Sequence, residues 1–117
     1  MKKIQFGSEL MLPVRNGGGY VILRYYLLES PVGFGYSELK SYGIEIARTD
    51  RIPGFQDMNE CKQIEGIFFD VEEAIAFIAR IKKESIKPTE LTKRLEEYIK
   101  EKIKFQREND RLNKTVG

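Results

Sequence analysis

This chain has one cysteine and no histidine, two of the residue types on which catalytic sites most often depend. The sequence has no histidine, which is the commonest general base and the commonest metal ligand in proteins. Cys61 is the only cysteine, so an internal disulfide, the usual zinc sites and a Cys–His nucleophile are excluded. An enzyme built from this chain would have to work with Asp, Glu, Tyr, Arg or Lys alone. We therefore predict a non-enzymatic protein with no catalytic residue, metal site or cofactor.

Two patterns suggest binding chemistry but do not meet its requirements. The acids around one predicted loop are Asp50, Asp57, Glu60 and Glu65. Their spacing matches no metal-coordinating loop, so we interpret them as solvated loop residues. The segment NGGG at residues 16–19 resembles a phosphate loop, which needs a helix N-terminus after it. A strand is predicted to follow here, so we predict a turn with positive φ angles.

Length and composition predict one α+β domain over residues 1–117. The chain has 41% hydrophobic and 32% charged residues and a net charge of +2, as in soluble globular proteins. A single domain typically has roughly 100–200 residues. No apolar run approaches the ~20 residues of a membrane-spanning helix. Residues 1–9 lack the apolar run of a secretion signal. We therefore expect a cytoplasmic protein with no membrane contact.

Hydrophobic patterning predicts about four strands in a strand-rich part, residues 1–69. Residues 4–12 alternate between apolar and polar positions and predict one half-buried strand. The apolar run 20–28 is typical of a central strand, and 39–48 alternates again. Residues 64–69 predict the last strand. Residues 49–62 lack periodicity and contain Pro53 and Gly54, so we predict a long loop there, its role open.

Two helices are predicted to follow, over residues 70–86 and 88–110, with a disordered tail over 111–117. Asp70 is expected to cap the first helix by accepting a hydrogen bond from the amide of residue 73. Pro88 suits the first position of the second helix. Because strands come first and helices last, we predict an antiparallel sheet with both helices packed on one face.

The second helix has the most informative spacing in the chain. The residues that recur every seven positions are Leu91, Tyr98, Phe105 and Leu112. The other seam positions of this imperfect heptad pattern are Leu95, Lys102 and Asn109. We expect Ile99 and Ile103 to pack on the sheet, and residues 104–112 to project and pair with a partner or a second copy. The alternative is an amphipathic helix that frays after Phe105.

The predicted function is a protein–protein interaction or regulatory domain, with homodimerisation through the second helix as one form. The candidate contact residues are Tyr98, Lys102, Phe105, Asn109 and Leu112 in the helix, and Phe34 and Phe55 in two loops. The alternative is a small nucleic-acid-binding regulator, in which the basic second helix contacts phosphates and tyrosine-rich strands stack on bases. Residues 87–117 carry nine Lys/Arg and six Asp/Glu.

Three segments together resemble a known family. They are YYLLE at 25–29, YGIEI at 42–46, and the strand, capped helix and Pro-started helix of 64–103. Over residues 20–103 they are similar to a small domain family of unknown function in spore-forming Gram-positive bacteria. The resemblance implies a compact bacterial intracellular domain. It implies no activity and no ligand residues.

Overall fold

A computed structural model describes residues 1–15, 17–33 and 39–116, with side chains as far as residue 111. These residues form an antiparallel sheet followed by two helices, which confirms the predicted α+β class. The strands are β1 (Lys2–Gln5), β2 (Leu10–Pro13), β3 (Tyr20–Pro31), β4 (Lys40–Arg51) and β5 (Met58–Phe68). The helices are α1 (Val71–Lys83) and α2 (Leu91–Val116), and a 3-10 turn, Pro88–Glu90, directly precedes α2.

β3 is the central strand, as predicted. β4 pairs along one side of it, while β1 and β2 share its other side. The prediction of one strand over 4–12 is therefore wrong. The chain leaves the sheet after Gln5, where Gly7 adopts a φ of 66°, and returns at Leu10. The pairing shifts by two residues across this break, so Phe6, Leu10 and Leu12 all still pack against the core.

The prediction of a loop over 49–62 is also wrong. β4 continues to Arg51 and β5 starts at Met58, so the connection is only residues 52–57. Residues 58–63 are all exposed, since β5 is the outermost strand and pairs only with β4. Because residues 58–63 bury no side chain, they carry no alternating apolar pattern. Backbone pairing with β4 determines the position of these six residues.

Both helices follow the sheet, and α1 packs across one face of β3 and β4. Alternate strand residues form this face and pack on the apolar stripe of α1. The core residues are Leu23, Tyr25, Leu27, Ile44, Ile46, Phe68, Ala74, Phe77, Ile78, Ile81, Ile86, Leu91 and Leu95. On the other face, the buried carboxylate of Glu45 pairs with Lys3. The core therefore lies between the sheet and the helices, as in the predicted arrangement.

Both ends of α1 differ from the prediction. Asp70 caps α1 by accepting a hydrogen bond from the amide of Glu72, 3.0 Å away, rather than from that of residue 73 as predicted. α1 ends at Lys83, three residues before the predicted end. Ser85 then adopts a φ of 53°, which turns the chain back towards the sheet. There the hydroxyl of Tyr25 donates a buried hydrogen bond of 2.7 Å to the carbonyl oxygen of Ile86.

α2 differs from the prediction at both ends. The helix extends to Val116, so the backbone of 111–116 is helical where a disordered tail was predicted. Pro88 occupies the first position of the 3-10 turn, and the α-helix itself begins at Leu91. The described molecule measures 67 × 39 × 19 Å, which is long for its size. The long dimension reflects how far α2 continues beyond the sheet.

Candidate interaction surface

The base of α2 is held firmly in the domain. Glu90 accepts a hydrogen bond of 3.1 Å from the amide of Lys87, which satisfies one backbone donor at the start of the helix. Leu91 and Leu95 are buried in the core. One turn further on, the ring of Tyr98 packs edge-on against Phe68 and Phe77, with centroids 5.8 and 5.2 Å away. These contacts position the helix and determine the direction in which it leaves the sheet.

A polar joint ties α2 to α1 at the point where the helix leaves the domain. The hydroxyl of Tyr98 donates to Glu73 Oε1 at 2.5 Å, and the ammonium group of Lys102 donates to the same oxygen at 2.7 Å. The hydrogen bond from Lys102, followed by that from Tyr98, lowers the pKa of Glu73. Burial, together with the hydrogen bond to Glu73, raises the pKa of Tyr98 to about 12. Glu73 is therefore ionised and Tyr98 is protonated at neutral pH.

The joint gives a testable contribution to stability. Glu73→Gln keeps the size of the side chain but removes its charge, and should lower the free energy of unfolding at pH 7 by about 1 kcal/mol. Because the pKa of Glu73 is lowered in the folded state, this contribution exists above its usual value of 4.5 and disappears at lower pH. Urea denaturation of wild type and variant from pH 7 to pH 3 measures both effects.

The matched control is Glu72→Gln, in the same first turn of α1. Glu72 has the same favourable position relative to the helix dipole, but it accepts no hydrogen bond from Tyr98 or Lys102. We expect a change below about 0.5 kcal/mol for this variant. Equal losses for the two variants, or a loss for Glu73→Gln that persists unchanged at pH 3, would show that the joint adds nothing.

Beyond Tyr98, α2 is largely exposed, and its contacts with α1 include the ion pairs of Lys102 with Glu73 and of Glu101 with Arg80. From Ile99 to Arg111 each described side chain is solvent-exposed, and the helix continues for roughly 27 Å to Val116. We call residues 99–116 the tip. Its apolar side chains Ile99, Ile103 and Phe105 are 42%, 45% and 64% exposed. An isolated helix of this length has marginal stability in water, so a partner surface would stabilise the tip.

The structure divides the predicted contact residues into three groups. Tyr98 and Lys102 meet at Glu73, where both side chains are already engaged within the domain. Phe105 and Asn109 lie on the exposed tip. Phe34 and the side chain of Leu112 lie outside the described residues. Only Phe105 and Asn109 are therefore described as lying on the free surface of α2.

Phe55 belongs to a separate surface at the other end of β5. Its side chain is 76% exposed, in the loop of the β4–β5 hairpin. Tyr20, Pro53 and Phe55 line an open cleft of about 350 Å³ there, next to the ion pair of Arg51 with Asp57. The tip of α2 leaves from the opposite end of β5, near Phe68. The structure does not join the two predicted surfaces.

Sequence reasoning missed two features of this surface. Ile99 and Ile103 were expected to pack on the sheet, but both are exposed, because the helix leaves the sheet after Tyr98. Their apolar character is the same in either setting, so no signal in the sequence distinguishes the two. Glu73 looks like an ordinary acid in the first turn of α1. Its contact with Lys102 spans 29 residues and depends on how the helices pack.

Two searches for other kinds of site apply to the described ranges only. Within residues 1–15, 17–33 and 39–116, no group of three or more Cys, Asp or Glu residues is arranged to hold a metal ion. Among the helices of the same ranges, none has the length and apolar character needed to cross a membrane. α2 has the length, but charged residues occur throughout it.

Comparison with known proteins gives one match. No curated protein matches the chain significantly. No solved structure matches it significantly either. A protein-family model described as "Family of unknown function (DUF6514)" matches residues 13–101. The match covers β3, β4, β5, α1 and the base of α2, and it ends at the third residue of the tip. Because the match covers well over half of the sequence, the chain belongs to this family of unknown function, DUF6514.

Proposed function

We propose that this protein is a non-enzymatic interaction or regulatory domain from the cytoplasm of a spore-forming Gram-positive bacterium. It attaches to another protein through the tip of α2. The observation that carries the proposal is an exposed helix on a buried base. Leu91 and Leu95 hold the base in the core, whereas the side chains from Ile99 to Arg111 are exposed.

The partner that fits the tip is a protein with a groove for one helix. At 100° per residue, Ile99 and Ile103 lie on one flank of the tip and Phe105 lies on the other. The polar residues between the flanks are Lys102, Gln106 and Asn109. A partner groove wide enough for both flanks would bury Ile99, Ile103 and Phe105. The polar side chains between the flanks would face the floor of that groove. The joint at Glu73 limits the directions in which the tip can point, which reduces the ordering cost of binding.

The charges of the tip predict a second property of the partner's groove. The described part of the tip, residues 99–111, carries three acids, Glu101, Glu108 and Asp110, and five cations, Lys100, Lys102, Lys104, Arg107 and Arg111, of which Lys102 is paired with Glu73. Excess positive charge at the edge of a binding surface favours a partner with acidic groups around its groove. A second copy of the tip has the same excess of cations. The charges therefore favour a different protein over a homodimer through the tip.

The experiment compares two substitutions at adjacent positions of the tip. Phe105→Glu and Lys104→Gln each lower the net charge by one, but only the first removes an apolar contact. The full chain and both variants are immobilised and exposed to an extract of spore-forming Gram-positive cells. We expect one protein to be retained by wild type and by Lys104→Gln, with at least about tenfold less retained by Phe105→Glu.

Several results would contradict this function. Equal retention of the same protein by Phe105→Glu and by wild type would show that the contact lies outside the tip. Retention of no protein by wild type would leave the exposed apolar side chains without a role. Light scattering on the same samples tests the homodimeric form, for which wild type and Lys104→Gln would be dimers and Phe105→Glu a monomer.

Nucleic-acid binding is the second candidate, and the five cations of the tip are the observation that favours it. The strands support it less, because Tyr25 is buried in the core and donates its hydroxyl to the carbonyl of Ile86. Retention on heparin that falls steeply as salt increases would support this function. The absence of retention at low salt would argue against it.

A further inference from the structure

β5 has an open edge along its straight part. Residues 58–64 pair with β4 in regular register, and the register shifts beyond Ile64, where Gly66 adopts a φ of 66°. No further strand follows β5 in the described sheet. Residues 58–63 are all exposed. An exposed edge of this kind can pair with the backbone of another chain.

The backbone of β5 alternates between facing β4 and facing this edge. The carbonyl oxygen of Ile64 lies beside the α-carbon of Gly43, so the polar backbone groups of Ile64 face β4. Counting back in steps of two, those of Lys62 and Glu60 also face β4. The amide and carbonyl groups of Asn59, Cys61 and Gln63 then face solvent. Three residues of β5 therefore present unpaired donors and acceptors in one row.

We propose that two copies of this chain pair antiparallel along β5, about a two-fold axis at Cys61. Cys61 is the midpoint of the straight segment 58–64. Each solvent-facing residue then meets another: Asn59 meets the second copy's Gln63, and Cys61 meets the second copy's Cys61. Each pair of this type exchanges two backbone hydrogen bonds. The two sheets become one continuous sheet.

The charges select this register over its neighbours. About Cys61, Glu60 lies opposite the second copy's Lys62, and the symmetry creates this pair twice. An axis at Glu60 would place two carboxylates opposite each other, and an axis at Lys62 would do the same with two ammonium groups. Neither Glu60 nor Lys62 has an ion-pair partner among the described side chains, so both charges are available. A lone Lys on an edge strand usually prevents such pairing, but here each Lys meets a Glu.

The surface beside the edge leaves room for a second copy. An open groove of about 270 Å³ runs between residues 60–62 and the start of α2. On the α2 side, small side chains line this groove, namely those of Pro88, Thr89 and Thr92. No large side chain from this part of α2 lines the groove. The second copy's β5 can therefore approach from the side of the sheet.

This dimer is independent of the proposed function and leaves the tip accessible. α2 starts beside Lys62 and passes Phe68 at Tyr98, so it runs in the same direction as β5. A two-fold axis through Cys61 reverses that direction in the second copy. The two tips then point away from each other at opposite ends of the dimer, and each can bind a partner.

Charge reversal tests the register. In Glu60→Lys both cross-strand pairs become Lys–Lys, and in Lys62→Glu both become Glu–Glu. Each single variant should dimerise at least about tenfold more weakly than wild type in sedimentation equilibrium. A mixture of the two variants restores two opposite-charge pairs, so it should form a heterodimer with roughly the wild-type affinity. The double variant Glu60→Lys/Lys62→Glu should dimerise as wild type does.

A cross-linking measurement tests the axis without changing charge. The two Cys61 α-carbons should lie about 5.5 Å apart, so a short bismaleimide should link the wild-type copies. In Cys61→Ser/Gln63→Cys the two thiols lie four residues out of register, about 14 Å apart, and should link poorly with the same reagent. Equal linking of the two proteins would overturn the axis at Cys61.

Two other results would overturn the proposal. One is a wild-type chain that remains a monomer at every concentration up to about 1 mM. The other is a dimer whose affinity is the same in wild type and in both single variants, which would place the interface elsewhere. If Phe105→Glu then made that dimer a monomer, the interface would be the tip. A wild-type chain that forms the β5 dimer but retains no partner would contradict the proposed function alone.

Discussion

Leu91→Ala is expected to lower the free energy of unfolding by about 3 kcal/mol. Leu91 is the first residue of α2, and its side chain is completely buried among core residues. Its truncation removes apolar contacts and leaves a cavity at the point where α2 is attached. Urea denaturation measures the change, with an unchanged m-value showing that the same surface is exposed on unfolding.

The matched control is Thr92→Ala, at the next position of the same helix. Thr92 is exposed, so this change should alter stability by less than about 0.5 kcal/mol. A small effect at both positions would show that the base of α2 is not anchored in the core. The tip would then not be held in a fixed direction, and the argument for a prepositioned binding helix would fail.

Gly43→Ala is expected to cost about 3 kcal/mol, although its backbone conformation suits any residue. A β-carbon at position 43 would overlap the carbonyl oxygen of Ile64 and crowd the α-carbon of Glu65. These are backbone atoms of β5 and cannot rotate away, so β5 must move from β4. We expect a lower urea midpoint and faster amide hydrogen exchange at Glu60, Lys62 and Ile64, whose amides face β4.

Gly54→Ala is the control for this substitution. Gly54 lies in the hairpin loop with a φ of 84°, and an added β-carbon would meet nothing within 4 Å. The strain of the left-handed backbone alone should cost about 1 kcal/mol, with no change in exchange along β5. If Gly43→Ala cost no more than Gly54→Ala, the close approach of β4 and β5 would not be a constraint. The inference that residues 59, 61 and 63 face solvent would lose its basis.

The sequence predicted best those elements that bury apolar side chains. Burial of one face produces both the alternation around Ile44 and the helical stripe through Ala74 and Ile78. The structure places all three residues in the core. Asp70 was recognised as a helix cap because capping depends only on neighbouring residues. The order of strands and helices then restricted the fold to the α+β class.

The first half of β5 was missed because it buries no side chain. Its residues 58–63 are exposed on both faces, so their types are free to vary and contain no periodic signal. Their strand conformation comes from hydrogen bonds to β4, which depend on the β4–β5 hairpin closing. The same pairing brings Glu60 and Lys62 to an edge. Neither charge stands out in the sequence.

By itself the sequence determined the core, the fold class and the absence of histidine chemistry, because each follows from residue type or local spacing. Only the tertiary structure decided which apolar residues of α2 lie inside. The heptad spacing is the same along the helix, yet Leu91 is buried and Phe105 is exposed. The physical reason is that the sheet ends near Phe68, so beyond Tyr98 the helix has no sheet to pack against.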